Sequence, residues 1–234
     1  PSKYVVERIK ARSHDGRMVP ISLVRLKDSK QDGKSKVLLY SYGAYKHSVN
    51  CSFSASRFCL IDRGIIFAIA HIRGGGDLGD SWHTEGKKKL KKNTFLDYVA
   101  CANHLIEQRY TYKGGICFYG GSAGGLTGGA VANLAPDLFF SMLILVGFLD
   151  SLTTMLNEKL PLTPGEWEMW GNPIKSKKYF EYIKSYSPYN NIDKKDYPSM
   201  LVTTSIFDNR VLYSEPVKYI AKLRDLKTDN NNQL

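Results

Sequence analysis

Ile116-Cys117-Phe118-Tyr119-Gly120-Gly121-Ser122-Ala123-Gly124-Gly125 is an apolar run that ends in a serine set among glycines. Such a run suits a strand buried on both faces. The small apolar residues that follow, 126–134, continue as a helix. Gly120, Ser122 and Gly124 match G-x-S-x-G in the setting the motif requires, a strand before and a helix after. That turn lifts the serine hydroxyl above the sheet and aims the Ala123 N–H at a developing oxyanion. Glycines two residues either side remove side chains that would collide in so tight a turn. Ser122 is therefore the candidate nucleophile. A phosphate loop would need Gly-Lys-Ser/Thr, and a dinucleotide site G-x-G-x-x-G near an acid; neither fits.

Upstream, residues 37–40 (VLLY) and 65–70 (IIFAIA) read as two more buried strands, and residues 142–148 and 200–204 as strands downstream. The spacing of Phe95, Tyr98, Ala102 and Leu105 predicts a helix over residues 93–110, with Thr94 and Asp97 resembling a capping box. Residues 215–226 read as another helix. Residues 5–11 and 19–26 flank His14-Asp15-Gly16-Arg17, where Asp-Gly signals a hairpin. Strands alternating with helices predict an α/β fold, with a doubly wound, mostly parallel sheet and helices on both faces. No repeat or linker interrupts the pattern, so residues 1–234 read as one domain.

Composition narrows the function classes. The 234 residues are 43% hydrophobic and 24% charged, ordinary for a globular domain. No apolar run reaches the length of a membrane span, and the start lacks the pattern of a signal peptide. A net charge of +11 raises nucleic acid as a partner. The densest basic run, residues 87–92 (KKKLKK), lacks interleaved aromatics, so a solvated loop is expected and no nucleic-acid or membrane partner. Cys51, Cys59, Cys101 and Cys117 show no metal spacing and read as buried or partly buried free thiols of a reducing compartment, with a cytoplasmic address. No metal or cofactor is implied.

Three strand ends gain meaning beside the elbow: residues 40–43 (YSYG), 73–79 (RGGGDLG) and 205–211 (SIFDNRV). With residues 91–95, 120–125, 150–156, 165–168 (GEWE), 170–173 (WGNP), 185–189 and 223–229, they make the chain resemble the prolyl oligopeptidase family of serine peptidases, in its branch that cuts after basic residues. The resemblance implies an α/β-hydrolase fold, an acyl-enzyme on Ser122, Asp208 as the triad carboxylate, and an oxyanion hole of Tyr42 and the Ala123 N–H. It implies that Glu166 and Glu168 select Arg or Lys in short basic peptides, and that Arg210 holds a substrate carbonyl. Such enzymes also carry an amino-terminal β-propeller, which this chain lacks. Asn50 and Ser52 stand where basic-specific members often have acids, which puts a dibasic preference in doubt. Gly147 stands where they often have proline.

The triad order for this fold is Ser, Asp, His, yet His14, His47, His71, His83 and His104 all precede Ser122. The resemblance puts the histidine roughly 35 residues after Asp208, beyond Leu234, with Ser preceding Asp preceding His. Residues 1–234 alone are thus expected to be inactive, with a sheet edge left open. Neither His71 nor His83, which flank the Arg73 loop, is expected to substitute. Alternatives are a post-proline oligopeptidase, an acylaminoacyl-peptidase, an esterase, or a non-catalytic pseudo-peptidase that only binds.

Overall fold

The structure is a computed structural model that describes residues 2–229 and 231–234. Strands β1 (Tyr4–Arg12) and β2 (Met18–Leu26) pair antiparallel. Their turn is closed by the Ser13 N–H donating to the Arg17 carbonyl at 2.8 Å, with Gly16 at φ 86°. The chain then forms β3 (Val37–Tyr40), α1 (Ala55–Ile61), β4 (Ile66–Ala70), α2 (Asp80–Thr84) and α3 (Lys92–Glu107). Next come β5 (Ile116–Gly121), α4 (Ala123–Leu134), β6 (Phe139–Leu145), α5 (Ser151–Met155), α6 (Thr163–Trp170) and α7 (Lys177–Lys184). Strand β7 (Ser199–Thr203) and helix α8 (Ser214–Leu226) complete it.

The sheet order is β1-β2-β4-β3-β5-β6-β7, antiparallel across the first three strands and parallel from β4 onward. Period-two alternation divides the sheet's apolar residues between two faces. Val37, Leu39, Ala68 and Phe118 point into one core with residues of α3, α4 and α8. Leu38, Phe67, Ile69 and Cys117 point into a second core, covered by Ile61 and Phe58 of α1. Helices lie on both faces, as the strand–helix alternation predicts, but the cover is unequal. At the outer strand the Met200 N–H donates to the Gln233 carbonyl at 2.8 Å, so the last residues run along β7. Leu201 is nevertheless 58% exposed and Phe207 93%.

The capping box is not formed. Helix α3 starts at Lys92, so Thr94 is already inside its first turn. Its hydroxyl instead donates to the Arg73 carbonyl at 2.8 Å. Asp97 turns inward and accepts from the Arg73 backbone N–H at 3.0 Å, Nε at 2.8 Å and Nη2 at 2.7 Å. Arg73 also reaches Asp15 in the β1–β2 turn. One buried guanidinium thus ties the loop after β4 to α3 and to the hairpin. All four thiols are free, but Cys51 and Cys59 are exposed; only Cys101 and Cys117 occupy the core. Cys51 and Cys59 lie in and after a loop that the apolar pattern of the strands does not reach.

Arg73 is 1% exposed and Asp97 fully buried, so without Asp97 the guanidinium keeps only the rim carboxylates of Asp15 and Glu85 and leaves its buried Nε without a carboxylate. Asp97→Ala is expected to lower the unfolding free energy by about 3–5 kcal/mol, the scale for a broken buried pair. Urea denaturation measures it; a loss under 1 kcal/mol would contradict this role.

Candidate active site

Strand β5 delivers Ser122 into α4 through a turn at φ 53° and ψ −122°, a conformation that non-glycine residues seldom adopt. The neighbouring chain holds it there. The Ser122 N–H donates to the Leu145 carbonyl at 2.9 Å, and the Ser122 carbonyl accepts from Phe148 N–H at 3.1 Å and Gly125 N–H at 2.9 Å. A Cβ on Gly124 would lie 2.8 Å from the Ser41 carbonyl oxygen, so this helix start can approach the end of β3 only without a side chain. Gly147 has a packing role: a Cβ on it would come 2.5 Å from the Ile144 Cγ2.

Ser122, Ala123, Tyr42, Glu166 and Arg210 line one cavity of about 600 Å³, walled by Phe148, Met155 and Leu162. Burial raises the Tyr42 phenol above its usual pKa; Ser122 pulls it down, Glu166 adds to the rise, and Arg210 opposes it. The phenol therefore stays protonated, as a hydrogen-bond donor to an oxyanion must. Glu166 is held by one oxygen: Oε2 accepts from the Tyr45 hydroxyl at 2.8 Å and from the Trp170 indole N–H. Its other oxygen has no hydrogen-bond donor among the described residues.

Asp208 sits in the loop after β7. Its Oδ1 accepts from the N–H groups of Arg210 at 2.9 Å and Val211 at 3.0 Å. That shapes the loop and leaves Oδ2 for another donor. No histidine ring among the described residues bonds to Ser122. His14 meets Ser13, His83 meets the Gly74 carbonyl, and His47 packs edge-on against Tyr42. His71 is paired with Asp77, an Asp–His contact with no signal in the sequence, but its other nitrogen faces Ser22.

Glu168 does not join Glu166. Both lie on α6, and residues two apart on a helix point about 200° away from each other. Glu168 is 75% exposed and pairs with Lys88 at 2.9 Å and Lys87 at 3.4 Å. Asn50 and Ser52 are exposed and lie outside the cavity lining.

Lys91 overturns the solvated-loop reading of the basic run. It is fully buried, and its Nζ donates to the Gly43 carbonyl at 2.6 Å. The same amine lies 5.1 Å from the centre of the Trp170 ring. One buried amine thus supports the Tyr42 loop and the indole that holds Glu166. Behind the cavity wall, Glu215 accepts from the Asp150 N–H at 2.8 Å and the Thr154 hydroxyl, joining α8 to α5. Burial raises its carboxyl pKa to about 7. Neither role was visible in the sequence, because a buried lysine inside a charged run has no local signature.

A serine on a strained strand-to-helix turn, beside a protonated phenol and a helix-start N–H on one cavity, is the nucleophile-elbow arrangement of the α/β-hydrolase fold. The chain belongs to the prolyl oligopeptidase family, whose sequence model matches residues 51–234. It is 46% identical to dipeptidyl aminopeptidase BI of Pseudoxanthomonas mexicana over 97% of this chain and 31% of that protein. It is also 46% identical to protease 2 of Moraxella lacunata, over 98% of this chain and 33% of that protein. The solved structure of oligopeptidase B from Leishmania major superposes with a TM-score of 0.96 at 45% identity, over 99% of this chain and 32% of that one. The chain spans about a third of the length of each.

Burial lowers the Lys91 pKa to about 7, from 10.5 when exposed. Between those values the unfolded chain binds more protons, so this group's contribution makes stability rise with pH from about 7 to about 10.5. Lys91→Met should flatten that rise. Urea midpoints measured across this range check it, and an unchanged slope would contradict it.

Proposed function

We propose that this chain is the catalytic core of a serine oligopeptidase that cleaves short peptides after arginine or lysine. The observation that carries the reading is the Glu166 carboxylate in the Ser122 cavity, with one oxygen anchored and the other left for a cation. A guanidinium donates in a planar fork and suits such an acceptor. Ser122 attacks the scissile carbonyl, and the resulting oxyanion takes hydrogen bonds from Tyr42 and the Ala123 N–H. Asp208 orients the imidazole that removes the serine proton, and Arg210 holds a substrate carbonyl. That imidazole belongs to sequence after Leu234, so residues 1–234 alone are inactive. A β-propeller in the remaining two-thirds of the protein restricts entry to short peptides.

In the full-length protein, Ser122→Ala should lower turnover by about four to six orders of magnitude, the scale for a lost triad nucleophile. Hydrolysis of an arginyl amide at near wild-type rate would refute the assignment. Glu166→Ala leaves the substrate cation unpaired in a partly desolvated pocket. It should reduce the preference for Arg over Phe at the cleaved position by about 2–4 kcal/mol. An unchanged ratio of kcat/KM values would remove Glu166 from specificity and leave the hydrolase reading intact.

Uncharged Asn50 and Ser52 cannot supply the attraction of two carboxylates, so a second basic residue should matter little. Arg-Arg amides should be preferred over Gly-Arg amides by less than about 30-fold, roughly 2 kcal/mol. A larger ratio would show that other acids bind that residue. The relative named a dipeptidyl aminopeptidase supports a second reading, removal of dipeptides from a free amino terminus. Cleavage of amino-terminally blocked arginyl peptides favours the endopeptidase; cleavage of unblocked ones alone favours the second.

A further inference from the structure

On the far side of the β3 strand from the Ser122 cavity, three residues that the proposed reaction does not use are joined in a line. The Ser22 Oγ lies 2.9 Å from His71 Nε2, and His71 Nδ1 lies 2.7 Å from Asp77 Oδ1. Ser22 is on β2, while His71 follows β4, the strand beside it. The neighbours set the direction of these bonds. Arg8 Nη1 donates to the Ser22 Oγ at 3.1 Å, so this hydroxyl's own proton is left for His71. Asp77 Oδ1 also accepts from the Val49 N–H at 3.1 Å, which marks it as the acceptor for His71 Nδ1–H. The result is Arg8 to Ser22 to His71 to Asp77, with each imidazole nitrogen in the role it has in a serine hydrolase triad.

Ser22 also opens onto a cavity. A space of about 510 Å³, within the range of small-ligand sites, is lined by Ser22 together with Phe53, Phe58, Phe67 and Ile69. Arg8 borders it and forms no ion pair among the described residues. Its remaining N–H groups are cationic donors beside the Ser22 hydroxyl, where an oxyanion would need them, and the Arg57 guanidinium lines the same cavity over the Phe67 ring.

We propose that Ser22, His71 and Asp77 form a second nucleophilic site, which accepts short apolar carboxylic esters and hydrolyses them slowly. The Ser22 Oγ bonds to the ester carbonyl carbon while its proton passes to His71 Nε2. The carbon–alkoxy bond then breaks, and the alcohol leaves with that proton. Water attacks the acyl-serine, its proton returns through His71 to Oγ, and the carboxylic acid departs. The backbone N–H groups of β2 are committed to the sheet, so the oxyanion relies on side-chain donors, with Arg8 the one already on the Ser22 Oγ. This makes the site much slower than one with a full oxyanion hole.

The test uses the natural full-length protein carrying Ser122→Ala, so the elbow serine cannot react. It is treated with an alkyl fluorophosphonate, and peptides are located by mass spectrometry. Turnover of p-nitrophenyl butyrate is followed in parallel. The expected result is phosphonylation of the peptide containing Ser22, together with butyrate hydrolysis that Ser22→Ala removes. Asp77→Asn, which reverses the imidazole tautomer while keeping shape, should slow both by about 10³-fold or more. Thermal melting checks that each variant remains folded. The labelling of the parent protein stands independently of any variant that does not. Absence of label on Ser22 would overturn the proposal, as would labelling that Asp77→Asn leaves unchanged in a folded protein.

Discussion

Ser122 at φ 53° and ψ −122° is the constraint around which the rest of the molecule is arranged. A backbone in this region costs of order 1–3 kcal/mol and persists only when its surroundings over-determine it. Here the surroundings are four backbone hydrogen bonds, with the end of β6, Phe148 just after it and Gly125 and Leu126 of α4, and contacts that leave no room for a Cβ at Gly124 or Gly125. The same turn that strains the serine points its hydroxyl out of the sheet and the next N–H toward the same space. Strain and function are one geometric feature, which explains why small residues surround it.

The walls of the cavity depend on two buried basic side chains that are remote from the Ser122 hydroxyl. Arg73 binds α3 and the hairpin to the glycine-rich loop after β4. Lys91 holds the Gly43 carbonyl, next to Tyr42, and lies against Trp170, which donates to Glu166. Buried cations are costly unless paired or hydrogen-bonded. Arg73 meets that condition with two carboxylates. Lys91 meets it with one carbonyl, two aromatic faces and the field of Asp97. Both join segments distant in sequence, so Tyr42 and Glu166 keep a fixed relation.

Residues with a strong local signature were legible in the sequence. Strand β5, the elbow and α4 are adjacent in the chain and carry their pattern in ten consecutive residues. The inner parallel strands β3, β4 and β5 read as apolar runs because both their faces are largely buried. Helices α1, α2, α5, α6 and α7 did not, since five to eight residues are too few to establish a 3.6-residue period. That omission mattered for Glu168: only knowledge that residues 163–170 are helical reveals that it faces away from Glu166. Lys91 and Asp97 look like surface charges in sequence, and their burial follows from long-range packing alone. The pairing of His71 with Asp77 was hidden for the same reason, because a six-residue separation has no fixed geometry outside regular structure.

Under the proposed reading, Ser122, Tyr42, Ala123 and Glu166 act together on one basic peptide residue. A crystal structure of the full-length protein treated with a peptidyl-arginine aldehyde tests it most directly, because the aldehyde captures the nucleophile in a tetrahedral state. The account predicts a covalent bond to Ser122 Oγ and a hemiacetal oxygen within hydrogen-bond distance of the Tyr42 hydroxyl and the Ala123 N–H. The guanidinium should lie against the Glu166 oxygen that Tyr45 and Trp170 leave open. An adduct whose guanidinium lies away from Glu166, or whose bond is to another residue, would contradict it.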